Sequence, residues 1–493
     1  MSQTEQMLKH SAIYAIANIF RQLVGFVMLP VYTSYLSPSD YGVVGLLVFL
    51  VSLFELLLGG QMFQAIPKFY HKYDQPTQKN SVITTSLSVT TGFSLVACLL
   101  MALSATPLSQ IVFGTEEYSL YVMVFSILIL TNSIEQYGLI YIRIIKEPWI
   151  FFTFSIIKLA LQLGLNVTTI VVLDWGLFGL AISSLLSSAI TASILLIYML
   201  VNTGFSFSLE TAKKLLIFSW PLWLSGIIGL YIGSSNRYFI RIFSSLDDVG
   251  LFELASRFGM IITALIWVPF SQYWQTERFE IIKKDNPVPQ FNFAFKLITF
   301  LMSLASIGLI CFSETVIKLI ASAEFHDAAY GVPYVVLANL FQALIIFRNF
   351  SFIHSGRTIE LTINNLLTAI IVTICYVLII PQYGYVGATI AILLSTACQY
   401  MIVTYRGKKV HDIQVGHRPL IVSIAVLGTV IMFTSFVTVE SLVTEFLLHS
   451  LIAIAAILAL YLGLFDHSDQ KTHISVAKSY FSSRLVSVRK RLL

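Results

Sequence analysis

The sequence predicts an all-α polytopic membrane protein. It has about 14 transmembrane helices, arranged as two parallel-repeat six-helix lobes plus two extra C-terminal helices. Three observations predict this. Of 493 residues, 57% are hydrophobic and only 11% are charged, where soluble domains run near about 25% charged. The apolar residues form long runs, and about 20 such residues are what a helix needs to cross a bilayer. Two separate turn motifs recur at one fixed offset along the chain.

The expected spans are 10–34, 41–66, 81–105, 118–142, 149–173, 176–200, 214–236, 248–273, 292–313, 331–354, 358–381, 384–406, 418–438 and 443–464. Short polar turns separate them. The leader Met1–His10 has no short apolar region with a small-residue cleavage site, so no cleaved signal peptide is expected. Cys98, Cys311, Cys375 and Cys398 all fall in apolar runs without metal-ligand spacing. They read as packing residues.

Lysine and arginine set the orientation. With the amino terminus inside, the inner segments and tail hold 22 of the 30 basic residues, and the outer segments hold only Arg237, Arg241 and Lys318. That asymmetry places both termini in the cytoplasm. The other five, Arg21, Lys158, Arg257, Lys296 and Arg348, lie within spans.

Ser37, Asp40 and Gly42 in LSPSDYG match Ser245, Asp248 and Gly250 in SSLDDVG, an offset of 208. Gly176 and Gly179 in WGLFG match Gly384 and Gly387 in YGYVG at the same offset of 208. The offset carries span 1 onto span 7 and span 6 onto span 12. An even number of spans per unit makes the repeat parallel, with a substrate site expected between the halves near mid-membrane. The expected divisions are 1–206, 207–410, a pair of added helices in 411–465, and a basic cytoplasmic tail, 466–493.

The first span is the most polar for its length. Tyr14, Asn18, Arg21, Gln22 and Gly25 recur at helical spacing and share one face. An arginine at mid-membrane costs roughly 2.5–3.5 kcal/mol or more, so it faces a bundle interior or a wet cavity. Two readings stand for Arg21: a cation contacting an anionic substrate, or a staple to an acid such as Glu55 or Glu135. Arg257 lies in span 8, one turn after Glu253, with which it can pair at i, i+4. Lys158 and Arg348 are further cavity candidates. Arg237 and Arg241 end span 7, as head-group contacts or interfacial anchors. Glu55, Glu135 and Glu253 are the candidates for carrying H+ or Na+. Cations outnumber acids within the spans, which suits a phosphate or pyrophosphate ligand.

The sequence has no GxxxxGK[ST], HExxH or GxSxG motif, so it offers no ATPase, zinc-hydrolase or serine-hydrolase site. Asp247-Asp248 reads as a helix cap. No cofactor, nucleic-acid partner or enzyme activity is expected.

The run from Pro30 and Tyr32 through Leu36-Ser37-Pro38-Ser39-Asp40-Tyr41-Gly42 resembles the polysaccharide-transporter family of the multidrug/oligosaccharidyl-lipid/polysaccharide (MOP) flippase superfamily, with the Wzx-type O-antigen flippases nearest. Ser219-Trp220-Pro221-Leu222 through Asn236-Arg237-Tyr238-Phe239 resembles the family's seventh span, which often has an acid where this chain has Asn236. The resemblance implies a MATE/MurJ-like, alternating-access flippase in a bacterial inner membrane. It would carry an undecaprenyl-pyrophosphate-linked oligosaccharide, such as an O-antigen repeat unit, as a monomer, with a polysaccharide polymerase or chain-length regulator as partner. By analogy with lipid II flippases, Arg21 and Arg257 would hold the pyrophosphate, with Asn18 and Gln22 beside them, and spans 13 and 14 would form a groove for the lipid tail. A lipid II flippase and a drug or cation antiporter are the rival readings. A polymerase or ligase would need a large outer loop, and none is expected.

Overall fold

The computed structural model describes residues 25–58, 62–436 and 442–465. Most of the first expected span lies outside these residues, including Asn18, Arg21 and Gln22, as does the basic tail.

The protein is all-α and multi-pass. Among the described residues, 11 helices are long and apolar enough to cross a membrane. The first span ends in α1 (Leu29–Tyr35), and α2 follows directly (Pro38–Leu58). Then come α3 (Pro76–Leu103), α4 (Ser119–Ile144), α5 (Pro148–Asn166) and α6 (Gly176–Thr203). The second half opens with α7 (Leu209–Ser234), which runs on through the short helix Asn236–Phe243. Helix α8 starts at Leu246–Ile262, widens into a π turn over Thr263–Trp267, and continues over Val268–Ile281. The widening sits directly before Pro269, whose ring nitrogen cannot donate to the preceding turn. Helices α9 (Val288–Ile320) and α10 (Val332–Arg348) follow.

A 52-residue helical run, Ile359–Val410, holds two of the expected spans. Its backbone leaves helical geometry at Gly384, where φ is +54°. We divide it there into α11 (359–383) and α12 (385–410). The last pair is α13 (Arg418–Phe436) and α14 (Leu442–Leu464), which pack on each other and on α9.

Turn chemistry explains the helix starts. Ser37 Oγ accepts from Asp40 N at 3.1 Å, and Asp40 Oδ2 accepts from Ser37 N at 3.1 Å and Ser37 Oγ at 2.8 Å. Such a reciprocal cap satisfies amide groups that the first helical turn leaves bare. The matching turn keeps one limb of this device, with Ser245 Oγ accepting from Asp248 N at 3.1 Å. The expected cap residue Asp248 is thus itself capped by Ser245, and its Oδ2 accepts from Ser244 Oγ instead of the Ser245 amide. Its Oδ2 also accepts from Tyr385 N at 3.1 Å, which ties this turn to the Gly384 break. Gly176 adopts a φ of +50°, close to the +54° of Gly384. A left-handed backbone carries no penalty without a Cβ.

The capped ends of α2 and α8 pack against each other along their length. A Cβ on Gly42 would collide with the carbonyl oxygen of Leu246, and a Cβ on Gly250 with that of Pro38. These are reciprocal contacts, since Pro38 and Leu246, like Gly42 and Gly250, are themselves 208 residues apart. The two backbones touch because both crossing points lack side chains. Deeper along the same contact, a Cβ on Gly45 would come within 2.6 Å of Glu253 Oε1.

Gly42→Leu and Gly250→Leu are each expected to cost about 1–3 kcal/mol through overpacking against backbone. The loss is read as a lower unfolding temperature in detergent. Gly92→Leu serves as the control and leaves that temperature unchanged, because nothing lies within 4 Å of its added Cβ.

Candidate functional site

A cavity of about 410 Å³ opens where the end of the first span, α2 and α8 meet. Gly25 and Phe26 line it from the first span, Tyr41 and Gly45 from α2, and Glu253, Arg257 and Met260 from α8. Arg237, from the short helix after α7, closes one side.

The arginine of α8 is the centre of this cavity. Arg257 Nη1 donates to the carbonyl of Gly25 at 2.9 Å. Its guanidinium lies 5.3 Å from the centroid of the Tyr41 ring, within range of a cation–π attraction. Gly25 permits this approach, because a Cβ there would stand 2.6 Å from Arg257 Nη1. Among the described residues Arg257 forms no ion pair. Its partners are a carbonyl and a ring, which solvate the charge without neutralising it.

Glu253 is one helical turn from Arg257, yet its carboxylate pairs with Arg237 through Nε. The expected i, i+4 pair with Arg257 is thus replaced by a bridge between two helices. The reason is position. The short helix Asn236–Phe243 continues α7 through Ser235, whose backbone angles stay helical, and packs on α8, which brings the Arg237 fork to Glu253. Asn236, where the family's seventh span often has an acid, accepts a long hydrogen bond from Arg237 Nη1 at 3.4 Å. The cavity lining therefore carries two guanidinium groups and one carboxylate.

A buried polar relay braces the wall behind it. Asn166 Nδ2 donates to Tyr32 Oη at 2.6 Å, and Asn166 Oδ1 accepts from Ser183 Oγ at 2.5 Å and Gln162 Nε2 at 3.1 Å. This fixes the end of the first span to α5 and α6.

The remaining sequence candidates sit elsewhere. Lys158 Nζ lies 2.5 Å from Glu135 Oε2, an α5–α4 bridge inside the first half. Neither residue lines the cavity, so they read as a self-neutralised pair, and Glu135 is engaged by Lys158 rather than by a first-span cation. Arg348 is 3% exposed. It donates to Tyr400 Oη at 2.8 Å and to the Val415 carbonyl at 3.2 Å, with the Phe295 ring 5.2 Å away. It clamps α10, α12 and the α12–α13 connection, away from the cavity. Glu55 is half-buried on α2 and has no hydrogen-bond or ion-pair partner among the described residues. Arg241 donates to the Phe113 carbonyl at 3.2 Å through Nε. Sequence reasoning missed the part played by Tyr41 and Gly45. The signal available was their shared spacing with Gly42 on α2.

The profile of the family described as polysaccharide biosynthesis protein matches residues 7–274, more than half of the chain. Two relatives, the lipid III flippases of Escherichia coli (strain K12) and Shigella flexneri, are each 32% identical over 82 residues. Those matches cover 16% of this chain and 20% of the relatives, so they span one fifth of the relatives' length. The solved structure of the lipid II flippase MurJ in an inward closed conformation matches 92% of this chain and 98% of its own, with a TM-score of 0.71 and 16% identity. An inward-facing multidrug resistance MATE transporter of the MOP superfamily matches 80% and 97%, with a TM-score of 0.62 and 18% identity. A MOP superfamily transporter from Pyrococcus furiosus, described as having a binding pocket of reversed polarity, matches 81% and 95% at a TM-score of 0.55 and 16% identity. At these identities the likeness establishes the MATE/MurJ-like fold.

Removing one partner of a pair whose side chains are each 13% exposed strands the other. Glu253→Ala is expected to destabilise the protein by about 3–5 kcal/mol. The double variant Glu253→Ala/Arg237→Ala is expected to lose less than the sum of the two single losses. Unfolding measured across that double-mutant cycle checks the coupling. Strict additivity would mean that the two side chains do not interact.

Proposed function

The chain belongs to the polysaccharide biosynthesis protein family, and we propose that within it the protein is a flippase for a lipid-linked oligosaccharide. Its substrate on this reading is an undecaprenyl-pyrophosphate-linked repeat unit of the O-antigen type, moved from the cytoplasmic to the outer leaflet of a bacterial inner membrane. The observation that carries the proposal is Arg257. It is a membrane-embedded cation at a cavity, held by a carbonyl and a ring and by no ion pair among the described residues.

The physical problem of such a reaction is that sugar and pyrophosphate cannot enter hydrocarbon, while a polyprenyl chain can remain there. A sideways-open polar cleft with surplus positive charge solves it. Arg257 offers a planar fork suited to phosphate oxygens. Arg237 adds a second fork, tempered by Glu253, so an arriving pyrophosphate competes with a carboxylate rather than falling into an irreversible site. Asn18, Arg21 and Gln22 lie outside the described residues; on this proposal they are further contacts for the head group, an expectation that rests on their helical spacing in the sequence. The tail would lie in the apolar groove of about 510 Å³ between α13 and α14, lined by residues such as Val430, Phe433 and Leu451.

On this reading 1–206 and 207–410 are two lobes that rock about the α2–α8 contact, 411–465 serves the lipid, and both termini are cytoplasmic. Glu55, without a partner among the described residues, is the acid best placed for ion coupling. A drug or cation antiporter is the poorer fit, because a cavity with two cations and one acid repels cationic cargo.

The test is flippase complementation in cells that lack their own O-antigen flippase. Wild type is expected to restore surface glycan. Arg257→Ala, at equal membrane abundance, is expected to lower it about tenfold or more, as loss of a charge-assisted contact of about 1.5–3 kcal/mol implies. Arg257→Lys retains the charge and loses the fork, and is expected to fall between. Full activity of Arg257→Ala would remove the basis of the assignment.

A further inference from the structure

We infer that a second, neutral cavity inside the C-terminal half is the saccharide subsite, receiving the sugar next to the pyrophosphate through hydrogen bonds from carboxamides. The inference rests on the flippase reading above and names the part of the substrate this pocket takes.

The cavity measures about 370 Å³, within the roughly 300–1,000 Å³ of small-molecule sites. Asn236, Asn339, Gln342, Asn365, Thr396 and Gln399 line it, delivered by four helical segments. Arg237 and Met260 line both this cavity and the Arg257 cavity, so the two are contiguous. No carboxylate lines it, and its one charge is Arg237.

A structural explanation for so many amides is interhelical bonding. It accounts for one contact: Gln399 Nε2 donates to Asn365 Oδ1 at 3.1 Å. It does not account for Asn339 and Gln342. These sit one turn apart on α10, line the cavity, and make no hydrogen bond among the described residues. Asn339 is half-buried and Gln342 exposed, so both present their amides to the open cavity rather than to a neighbouring helix. A ligand with hydroxyl and amide groups satisfies them, since each carboxamide both donates and accepts. A hard cation suits the pocket poorly. It prefers carboxylate oxygen, and the nearest charge is an arginine.

The first half provides the contrast. At the offset of 208, Asn236, Asn339, Gln342, Asn365, Thr396 and Gln399 correspond to Met28, Thr131, Ile134, Ile157, Ser188 and Thr191. No amide occurs among them. Ser188 Oγ donates to Thr131 Oγ1 at 2.9 Å, and both residues are buried. Ser188 also bonds the neighbouring Asn132 Oδ1 at 3.3 Å, whereas the matching Thr396 and Asn339 of the second half make no hydrogen bond to each other and line the cavity. The shared architecture therefore does not require the amides.

The experiment uses the full chain in lipid nanodiscs and two probes: undecaprenyl pyrophosphate, and undecaprenyl-pyrophosphoryl N-acetylglucosamine. Wild type is expected to bind the sugar-bearing probe about tenfold tighter, the gain from one or two net hydrogen bonds. Asn339→Leu/Gln342→Leu is expected to abolish that ratio and leave affinity for bare undecaprenyl pyrophosphate unchanged. Asn339→Thr, which installs the first half's residue, is expected to reduce the ratio in a variant whose folding is checked by its unfolding temperature. A ratio that survives in both variants, or that is already absent in wild type while bare undecaprenyl pyrophosphate binds, overturns the subsite. Wild type binding neither probe overturns the flippase reading, and this inference with it. Sodium-dependent stabilisation that disappears in the same variants, with no sugar ratio, overturns the subsite in favour of a cation site.

Discussion

Hydrocarbon does not hydrate charge, and the placement of Lys158, Glu135, Arg237, Glu253, Arg257 and Arg348 follows from that. Lys158 and Glu135 neutralise each other between α4 and α5. Arg348 is wrapped by Phe295, Tyr400 and a carbonyl. Arg237 and Glu253 bridge the start of the Asn236–Phe243 helix to α8. Arg257 receives a carbonyl and a ring but no acid among the described residues. Arg348 also lacks an acid among the described residues but is buried away from the cavity between α2 and α8, whereas Arg257 lines that cavity, and there an anion is favoured.

Close backbone contact is the second requirement. Gly42 and Gly250 let α2 and α8 cross with their carbonyls against each other's backbone, in a reciprocal pattern set by the 208-residue offset. Gly45 and Gly25 then make room for the Glu253 and Arg257 side chains. The site is thus located by missing side chains as much as by those present. The departure from symmetry lies deeper in the halves. Ser188 bonds Thr131 in the first half, where the matching Thr396 and Asn339 of the second half line a cavity.

The membrane runs and the recurring turns were legible in the sequence because each depends on a few neighbouring residues. Ser37 with Asp40, and Ser245 with Asp248, recur at one offset, while their capping bonds and the positive φ of Gly176 and Gly384 came from the structure. The expected break between spans 11 and 12 lies at Gly384. The π turn before Pro269 is also a local consequence. Much less of the site was legible. Arg257 was recognisable as an unusual intramembrane cation, but Lys158 and Arg348 looked equally unusual and proved to be engaged within their own halves. The amide cavity left a faint trace, the i, i+3 pairs Asn339/Gln342 and Thr396/Gln399, each marking one helical face.

The sequence by itself determined that the chain crosses a membrane many times as helices, which turns repeat, and that the spans hold more cations than acids. Hydropathy, capping and composition are properties of local stretches, and a bilayer reads them locally. Tertiary structure alone decided which cation without an ion pair among the described residues faces the cavity. Glu253 takes Arg237, sixteen residues away, over Arg257, one turn away, because the Asn236–Phe243 helix packs on α8 and brings one guanidinium to it while Gly25 and Tyr41 hold the other. Partner choice of that kind depends on where helices touch, and helices that touch are set by packing between segments hundreds of residues apart.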